Sequence, residues 1–499
     1  ARCQLAAGYD AKNNRQYYES IKPCFEGINK LLTTYYNAYY RINISEISNP
    51  AQLDSDNISI IEEPQMNDII PQCDVVLASQ YKTGKTYNIV QTLKQAASEG
   101  KTYMAITHRI FSAVTFTGDL KSADVPVNIY NEIKGRLSPA NLICQLESLH
   151  RVALEPVDIL ILDEIESIIE SISASPHIKH PNQFICNLEY FMTSAKQIIC
   201  ADNDISNRTL EFLKEFGRRP QVIINKYRSF HDHIAEISRL KFTDFVIQIK
   251  RLVIDDNKRA VISTNYGPET VESISKYLLD AKPELKIAIY HAKTPQNERQ
   301  KLSNINVEWA QYDVVIYTPA IETGLSFNLP HFDIGIGLFT NNSNSYRAAC
   351  QQLHRARDLI DKKLYINVEL TESQYYPQTA AEVEQLMELK PPDKIGDLLR
   401  YRFKDNKYTY EKNFLYRMYV DYRVEQGRNY HNFLPLLINN LKLGGYNIVY
   451  ADIPDLTKES EEEQEAAKAE RKAIVETMGI VKDDINTKIA DADIPDANV

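Results

Sequence analysis

Short apolar, β-branched runs alternate along most of the chain with segments whose apolar residues recur every three or four positions. This rhythm fills residues 65–230 and begins again over residues 231–370. Strands that alternate with helices are typical of parallel sheets with crossover helices. The pattern therefore predicts an α/β protein with two tandem lobes, each built on a parallel sheet.

The two ends of the chain follow a different pattern. Residues 1–64 and 371–450 show mixed three- and four-residue apolar spacing, which predicts helical additions at both ends, and residues 451–499 predict an acidic helix and tail. The stretch 371–450 is rich in tyrosine. The aromatic residues Tyr401, Phe403, Tyr408, Tyr416, Tyr419 and Tyr422 alternate there with lysine and arginine. Such aromatics either form a helix core face or stack on exposed bases, and the sequence leaves both interpretations open.

Charge and cysteine usage narrow the class of protein. The formal net charge is −10, and residues 451–499 hold 14 acidic and 6 basic residues, so the remaining 450 residues carry only −2. A nucleic-acid partner would therefore need a local basic channel. The seven cysteines are scattered and never spaced C-x-x-C, which favours an intracellular, reducing compartment. No apolar run reaches the roughly 18 residues of a membrane span, so we expect no membrane partner.

The stretch "VVLASQYKTGKT", residues 75–86, is a strand-like run that ends in Gly-Lys-Thr. A phosphate-binding loop has the form G-x-x-x-x-G-K-[ST], and here Ser79 replaces its first glycine. The candidate phosphate-binding residues are Ser79, Lys82, Thr83, Gly84, Lys85 and Thr86. The alternative is a tight turn with a solvated lysine.

An acidic pair, Asp163 and Glu164, ends the apolar run in "VDILILDEIESIIE". Ligands of open α/β sheets bind at the carboxyl ends of the strands, where such a pair can hold Mg²⁺ and polarise an attacking water. Acidic residues at the start of a helix are the alternative. Together with the loop of residues 79–86, the pair predicts a nucleotide site.

The second lobe supplies candidate cations. "CQQLHRARDL", residues 350–359, places Arg355 and Arg357 near Gln351 on a predicted helix. Arginines that come from a second domain neutralise transition-state charge in phosphoryl transfer. An ordinary basic helix face is the alternative.

This ordered set of motifs resembles superfamily 2 helicases and, among them, the herpesvirus-type origin-of-replication-binding helicases of large DNA viruses and plasmids. The resemblance covers roughly residues 70–370. "ASQYKTGKT" resembles motif I, "YMAITHRIFSAV" motif Ia, "LDEIES" motif II, "CADNDIS" motif III, "TPAIETGLSF" motif V and "QQLHRARD" motif VI. "LICQLESLHRV" is the match most particular to the origin-binding branch. Motif VI lacks its usual glycines, and a Q-motif upstream is not evident.

The resemblance implies a role for each matched position. Lys85 would contact the β and γ phosphates of ATP, Thr86 and Asp163 would hold Mg²⁺, and Glu164 would orient the hydrolytic water. Arg355 would be the arginine finger beside Arg357. Gln351 would sense the nucleotide, and Thr323 and Gly324 would lie in an inter-lobe loop. The residues implied to approach the DNA backbone are Thr107, His108, Arg109, Thr264 and Thr318.

The resemblance also implies an activity. We expect two RecA-like lobes that close on ATP and move along single-stranded or forked DNA from three-prime to five-prime, in replication of a viral or plasmid genome. Because the chain begins without Met, it could be the helicase part of a larger primase-helicase, with primase or other replisome proteins as partners. A viral protein of this kind would work in the host cytoplasm or nucleus. An RNA helicase and a nucleotide-gated switch or scaffold that unwinds nothing remain alternatives.

Overall fold

The computed structural model describes residues 53, 55–67, 69–174, 178, 180–319, 325–371, 376–392, 399–451 and 469. Residues 1–52, predicted to be helical, lie outside the described residues. So do almost all residues of the predicted acidic helix and tail.

Eight parallel strands form the first sheet. In chain order they are β1 (Ile58–Ile61), β2 (Val75–Ser79), β3 (Tyr103–Thr107), β4 (Asn128–Ile129), β5 (Leu142–Gln145), β6 (Ile159–Asp163), β7 (Gln197–Asp202) and β8 (Gln221–Asn225). Across the sheet they run β1-β8-β2-β7-β6-β3-β5-β4. Every residue of β2 and β3 is buried. Continuous burial is expected of a parallel sheet covered on both faces, and it explains the unbroken apolar runs.

The second sheet has seven strands, and all its pairings are parallel. They are β9 (Ile234–Ser238), β10 (Ala260–Thr264), β11 (Ile287–Tyr290), β12 (Val314–Tyr317), β13 (Ile334–Thr340), β14 (Lys363–Glu369) and β17 (Asn447–Tyr450). Their order is β11-β12-β10-β13-β14-β9-β17. An antiparallel hairpin of β15 (Tyr401–Lys404) and β16 (Lys407–Tyr410) stands apart from both sheets. The predicted pair of parallel-sheet lobes is confirmed.

Helices connect the strands. Those of the first lobe are α1 (Lys85–Ser98), α2 (Ile110–Ser122), α3 (Ile165–Ala174), α4 (Pro181–Ser194) and α5 (Asn207–Glu215), with a 3-10 helix at Leu146–Arg151. Those that follow are α6 (Phe242–Lys250), α7 (Pro268–Ala281), α8 (Gln296–Lys301), α9 (Ile305–Trp309), α10 (Tyr346–Leu353), α11 (Ala380–Leu389) and α12 (Phe414–Gly444). Over the described ranges, no helix combines the length and hydrophobicity that a membrane crossing requires.

Two regions predicted to be helical contain strands. β1 lies inside the predicted extension 1–64, and its "ISII" run pairs in register with Val222–Asn225 of β8. The hairpin and β17 lie inside the predicted helical region 371–450, and β17 pairs with β9 of the second sheet. Four-residue strands of this kind carry too little periodic signal to be separated from helical neighbours, and pairing with a distant strand decides their conformation.

The long helix α12 joins the two lobes. In its first turns Leu415, Tyr416 and Met418 belong to the hydrophobic core of the first lobe. Near its other end Phe433 packs with Phe339 of β13, with ring centroids 6.5 Å apart. The helix bends at Asn432, whose φ of −121° is not helical, three residues before a proline inside the helix. One helix therefore contributes to both cores.

Gly427 of α12 sets how closely this helix approaches the segment before α11. A Cβ atom built on Gly427 would lie 1.8 Å from the carbonyl oxygen of Pro377. We expect Gly427→Ala to lower the unfolding temperature, because backbone atoms cannot move aside and such overpacking costs about 1–3 kcal/mol or more.

The matched control is Gly118→Ala in α2, where a Cβ atom would meet nothing within 4 Å. That change should be neutral or stabilising by about 0.5–1 kcal/mol, since alanine favours the helix. Thermal unfolding followed by circular dichroism measures both variants. Equal unfolding temperatures for the two would contradict the close approach of α12.

Candidate nucleotide site

The loop between β2 and α1 is closed by hydroxyl groups. The hydroxyl of Ser79 donates to Oγ1 of Thr83 over 2.7 Å, and the hydroxyl of Thr83 donates to the carbonyl of Gln80 over 2.8 Å. Both residues are about 1% exposed. Ser79, which replaces the usual first glycine, therefore gives the loop an internal hydrogen bond that glycine could not supply.

The last turn of this loop has the backbone that a phosphate-binding loop requires. Gly84 has a φ of +77° and Lys82 a φ of +65°, both left-handed. The carbonyl of Thr83 accepts from the backbone amide of Met66 over 2.8 Å, and a Cβ atom on Gly84 would lie 2.6 Å from Oε1 of Gln65. Residues upstream of the first core strand thus cover the loop, which the sequence pattern did not predict.

Lys85 begins helix α1 and turns its amine back into the loop. The amine donates to the carbonyl of Ser79 and to Oδ1 of Asn203, the residue after β7. Burial lowers the pKa of Lys85 to about 8, although the carboxylates of Asp202 and Asp163 oppose the shift. The lysine is therefore close to the acidic pair, as the paired motifs predicted, and its charge is poorly solvated.

The acidic pair stands at the carboxyl end of β6. Burial raises the pKa of Asp163, and burial together with the Asp163 charge raises the pKa of Glu164 to about 8. Oε2 of Glu164 lies 3.3 Å from Nδ1 of His108. Burial also lowers the pKa of His108 to about 3, so this histidine is neutral. The pair has the buried, poorly compensated charge that a cation would relieve.

Glu166, two residues beyond the pair, is the centre of a buried charge network. Its carboxylate accepts from the backbone amide of Ser206 over 2.8 Å and from the hydroxyl of Thr209 over 2.5 Å, and it pairs with Arg208 at 2.6 Å. Burial alone would raise the pKa of Glu166, but the guanidinium groups of Arg208 and Arg347 outweigh it and lower the pKa to about 2. The carboxylate is therefore ionised and positions the start of α5.

The same network crosses to the second lobe. Arg347 of α10 forms ion pairs with Glu425 of α12 and with Asp204, and Arg208 lies 2.7 Å from the Glu425 carboxylate. The hydroxyl of Tyr346 donates to Asp204 over 3.1 Å. The resemblance of "LDEIES" to motif II and of "CADNDIS" to motif III implied no role for these side chains. The available signal was Glu166 itself, an acidic residue in the first turn of α3.

The arginines of residues 350–359 do not lie on a helix, which corrects the prediction. Helix α10 ends at Leu353, and Arg355 and Arg357 follow in an extended segment whose backbone pairs with Phe327. Nη1 of Arg355 donates to the carbonyl of Leu325 over 2.9 Å. Strand-like pairing with residues 325–327 replaces the helix, because those residues offer the backbone partners that the helix end lacks.

Arg355 is 7% exposed and lies near Glu164 of the acidic pair. Burial lowers the pKa of Arg355, and the charge of Glu164 opposes this shift, so the two groups are close enough to interact. Arg357 is also largely buried, and burial lowers its pKa as well. The structure thus brings Lys85, Glu164 and Arg355 together from two lobes.

Three contacts hold the lobes together around this site. Lys82 forms an ion pair with Asp358, the Tyr81 ring stacks on His354 with centroids 4.2 Å apart, and Nη1 of Arg109 donates to the carbonyl of Pro319 over 3.1 Å. Each contact joins a first-lobe motif to a second-lobe motif. The lobes are therefore in a closed arrangement.

The residues expected to meet nucleic acid are divided by burial. Thr107, Thr264 and Thr318 are 1%, 0% and 5% exposed, and the hydroxyl of Thr264 donates to the carbonyl of Leu338. His108 and Arg109 line a cavity of about 320 Å³ between the lobes. The three threonines support strand ends in this arrangement, and their role toward nucleic acid stays a prediction.

Two groups of predicted nucleotide contacts remain open. Gln351 lies on α10 and lines the same inter-lobe cavity as Arg109, on the side of Ser167 and Ser345. Thr86 lies in the first turn of α1 beside Lys85. Thr323 and Gly324 lie outside the described residues. Their assignments to nucleotide or metal are predictions.

Comparison with known proteins places the chain in a family. Residues 72–251 and 296–382, which together exceed half of the chain, match the family described as "Origin of replication binding protein". A helicase/primase complex protein of African swine fever virus is 27% identical over 432 residues, covering 83% of this chain and 40% of that protein. The replication origin-binding protein of human herpesvirus 6B is 26% identical over 296 residues, covering 57% of this chain and 36% of that protein.

The fold also has a solved counterpart. Saccharomyces cerevisiae Dbp5 bound to RNA and ADP BeF3 superposes with a TM-score of 0.50 at 12% identity, covering 80% of this chain and 89% of that chain. At this identity the likeness shows the fold alone, and it confirms two RecA-like lobes. The present chain spans less than half of the length of each of the two viral relatives.

The raised pKa of Glu164 predicts a pH-dependent cost to stability. The folded protein holds this proton up to about pH 8, whereas an unfolded glutamate releases it near pH 4.3. Stability should therefore fall as pH rises through this window. Glu164→Gln should raise the unfolding temperature without nucleotide or Mg²⁺, with a gain that grows from pH 5 to pH 8 and then levels off.

Calorimetry between pH 5 and pH 9 measures this gain. Glu189→Gln is the matched control, because Glu189 is exposed on α4. Its difference from the natural protein should stay small and flat. A flat difference for Glu164→Gln would mean that the Glu164 carboxyl ionises normally.

Proposed function

Because the chain belongs to the family of origin of replication binding proteins, we propose that it is an ATP-dependent helicase that acts in replication of a viral or plasmid genome. The observation that carries this proposal is the meeting of Lys85 and Glu164 of the first lobe with Arg355 of the second. Such a cleft changes when the lobes move, so nucleotide and lobe closure are coupled.

The loop of residues 79–84 and the first turn of α1 would hold the phosphates of ATP. Backbone amides at a helix N-terminus favour anions. Lys85 now donates to Ser79 and Asn203, and it would exchange these partners for the β and γ phosphates. A nearby phosphate would also raise the pKa of Lys85, which burial lowers to about 8.

The donor set fits Mg²⁺. Asp163 and Thr86 would hold the ion, and burial has raised the pKa of Asp163 in the way that a bound cation reverses. When bound, Mg²⁺ would neutralise charge on the phosphates and orient them. Glu164 would orient the hydrolytic water once its carboxyl has lost the proton that burial retains.

Arg355 would stabilise the charge that develops on the γ phosphate, with Arg357 beside it. Its guanidinium is already desolvated and near Glu164, so little reorganisation is needed. After hydrolysis the contacts Lys82–Asp358 and Tyr81–His354 would open and close with the lobes. This cycle would move a single strand, in the three-prime to five-prime direction.

The proposed partners are single-stranded or forked DNA, and primase or other replication proteins in a longer polypeptide. A helicase/primase name belongs to the African swine fever virus relative, of which this chain covers 40%. The protein would act in a reducing compartment of the host cell, either the cytoplasm or the nucleus.

ATP hydrolysis with and without single-stranded DNA, together with strand displacement from a forked duplex, tests the proposal. We expect DNA to stimulate hydrolysis and ATP to drive displacement. Stimulation by single-stranded RNA alone would indicate an RNA helicase. Hydrolysis of ATP without any strand displacement would indicate a nucleotide-gated switch.

Lys85→Ala should abolish ATP hydrolysis while the unfolding temperature changes little, because the amine contacts only the loop and Asn203. Lys94→Ala is the matched control, since Lys94 is an exposed lysine of the same helix α1. It should hydrolyse ATP at the natural rate. Near-natural hydrolysis by Lys85→Ala would show that the phosphates bind elsewhere.

Arg355→Ala should slow turnover at saturating ATP by about 10³-fold, with a much smaller loss of nucleotide affinity, because a second-lobe arginine acts on the transition state. Arg355→Lys should restore little, since an ammonium cannot make the planar two-pronged contact. Arg251→Ala is the control, because Arg251 is exposed in the same lobe. Natural turnover of Arg355→Ala would refute the two-lobe site.

A further inference from the structure

The hairpin β15–β16 projects from the C-terminal part of the chain, beyond the segments that match the family. Its two turn residues, Asp405 and Asn406, have φ values of +52° and +59°. Positive φ at both central positions defines the tight turn that suits the twist of a two-residue hairpin. The hairpin therefore has a defined register and two distinct faces.

One face of the hairpin carries only aromatic side chains. Tyr401 lies opposite Tyr410, and Phe403 lies opposite Tyr408. The ring centroids are 5.7 Å apart in the first pair and 4.7 Å in the second. Exposure rises toward the tip, from 44% at Tyr401 to 60% at Phe403.

The base of this aromatic face is anchored in the first lobe. The hydroxyl of Tyr410 donates to the carbonyl of Met387 over 3.0 Å, and its ring lies 5.7 Å from that of Tyr416, which is 5% exposed. Phe414, the first residue of α12, packs against Phe212 of helix α5, with ring centroids 5.9 Å apart. The rings near the tip are thus held rigidly without being buried.

The surroundings of the rings are basic. Residues 399–412 contain five lysines and arginines against two acidic residues, and Glu388 and Glu384 of α11 pair with Lys407 and Lys412, so the net charge of these groups together is +1. Arg402 lies on the opposite face, next to Thr409, and Lys404 faces Lys407 at the tip. Long cationic side chains on this reverse face can extend around the edge of the hairpin to the phosphates of a strand whose bases stack on the rings.

We infer that the hairpin face formed by Tyr401, Phe403, Tyr408 and Tyr410 is a binding site for single-stranded nucleic acid, whose bases stack on Phe403 and Tyr401 while Arg402 and Lys404 meet phosphates. This inference rests on the proposed function and adds a contact outside the two lobes. Arg402 and Lys404 favour nucleic acid over an apolar protein surface, which offers no anionic group to either cation.

Fluorescence anisotropy of labelled oligothymidylate with the full chain tests the site. Phe403→Ala and Tyr401→Ala should each weaken binding about fivefold or more, the lower range for the loss of one stacked base. Their salt dependence should be unchanged. Arg402→Ala should instead reduce the slope of log affinity against log salt by about 0.7 for each lost phosphate contact.

Phe403→Leu separates stacking from apolar contact, because leucine keeps an apolar side chain but has no ring face. It should bind oligothymidylate as weakly as Phe403→Ala. Tyr450→Ala is the matched control, since Tyr450 is a 63% exposed tyrosine on β17 of the seven-stranded second sheet. It should bind like the natural protein. Unfolding temperatures confirm that every variant is folded.

The hairpin site would be overturned if Phe403→Ala and Tyr401→Ala bound oligothymidylate with natural affinity. If the natural protein also bound it and DNA stimulated its hydrolysis of ATP, the helicase proposal would stay intact. No binding by the natural protein would overturn both. Loss of self-association in the Phe403 variants, with unchanged oligothymidylate binding, would assign the face to a second copy and overturn the inference.

Discussion

The carboxylate of Glu166 is the point on which the rest of the structure depends. It is 2% exposed and holds the start of α5 through Ser206, Thr209 and Arg208. Taking such a charge out of water is costly, and only close cations and several hydrogen bonds repay the cost. Removing one partner would leave an unpaired buried charge. The network therefore holds the acidic motif, α10 and α12 in one geometry.

The same geometry explains why two neighbouring glutamates have opposite pKa shifts. Glu166 has two guanidinium partners and a lowered pKa, whereas Glu164, two residues earlier, has a pKa raised to about 8. The difference lies in the partners, because Glu166, 2% exposed, has two guanidinium groups beside it, whereas Glu164, whose side chain is 23% exposed, lies beside the Asp163 charge. Glu166 thus stabilises the packing of α5 and α10, whereas the Glu164 carboxyl is left without a guanidinium partner of this kind.

Helix α12 extends this network to the whole molecule. It supplies Leu415 and Tyr416 to the first core, Glu425 to the charge network and Phe433 to the second lobe. A helix that contributes to both lobes resists their free separation, so lobe movement must bend it or shift one contact. Asn432, where its φ and ψ leave the helical range, lies between those two attachments and next to Phe433. Contacts with the second lobe lie on both sides of this bend, because Oδ1 of Asn429 accepts from the backbone amide of Tyr346.

Local sequence patterns predicted the two parallel-sheet lobes, the loop of residues 79–84 and the acidic strand end. These features depend on local properties: apolar runs of strand length, the left-handed backbone of Gly84 and the carboxylate that follows a buried strand. Tertiary structure alone decided the strand at Ile58–Ile61, the extended backbone of Arg355 and the partners of Glu166. Each of these requires residues far away in the chain, which no local periodicity encodes. The tyrosine-rich region shows this most simply, because Tyr401 and Tyr416 are the same residue type and only docking against the first lobe buries one and leaves the other exposed.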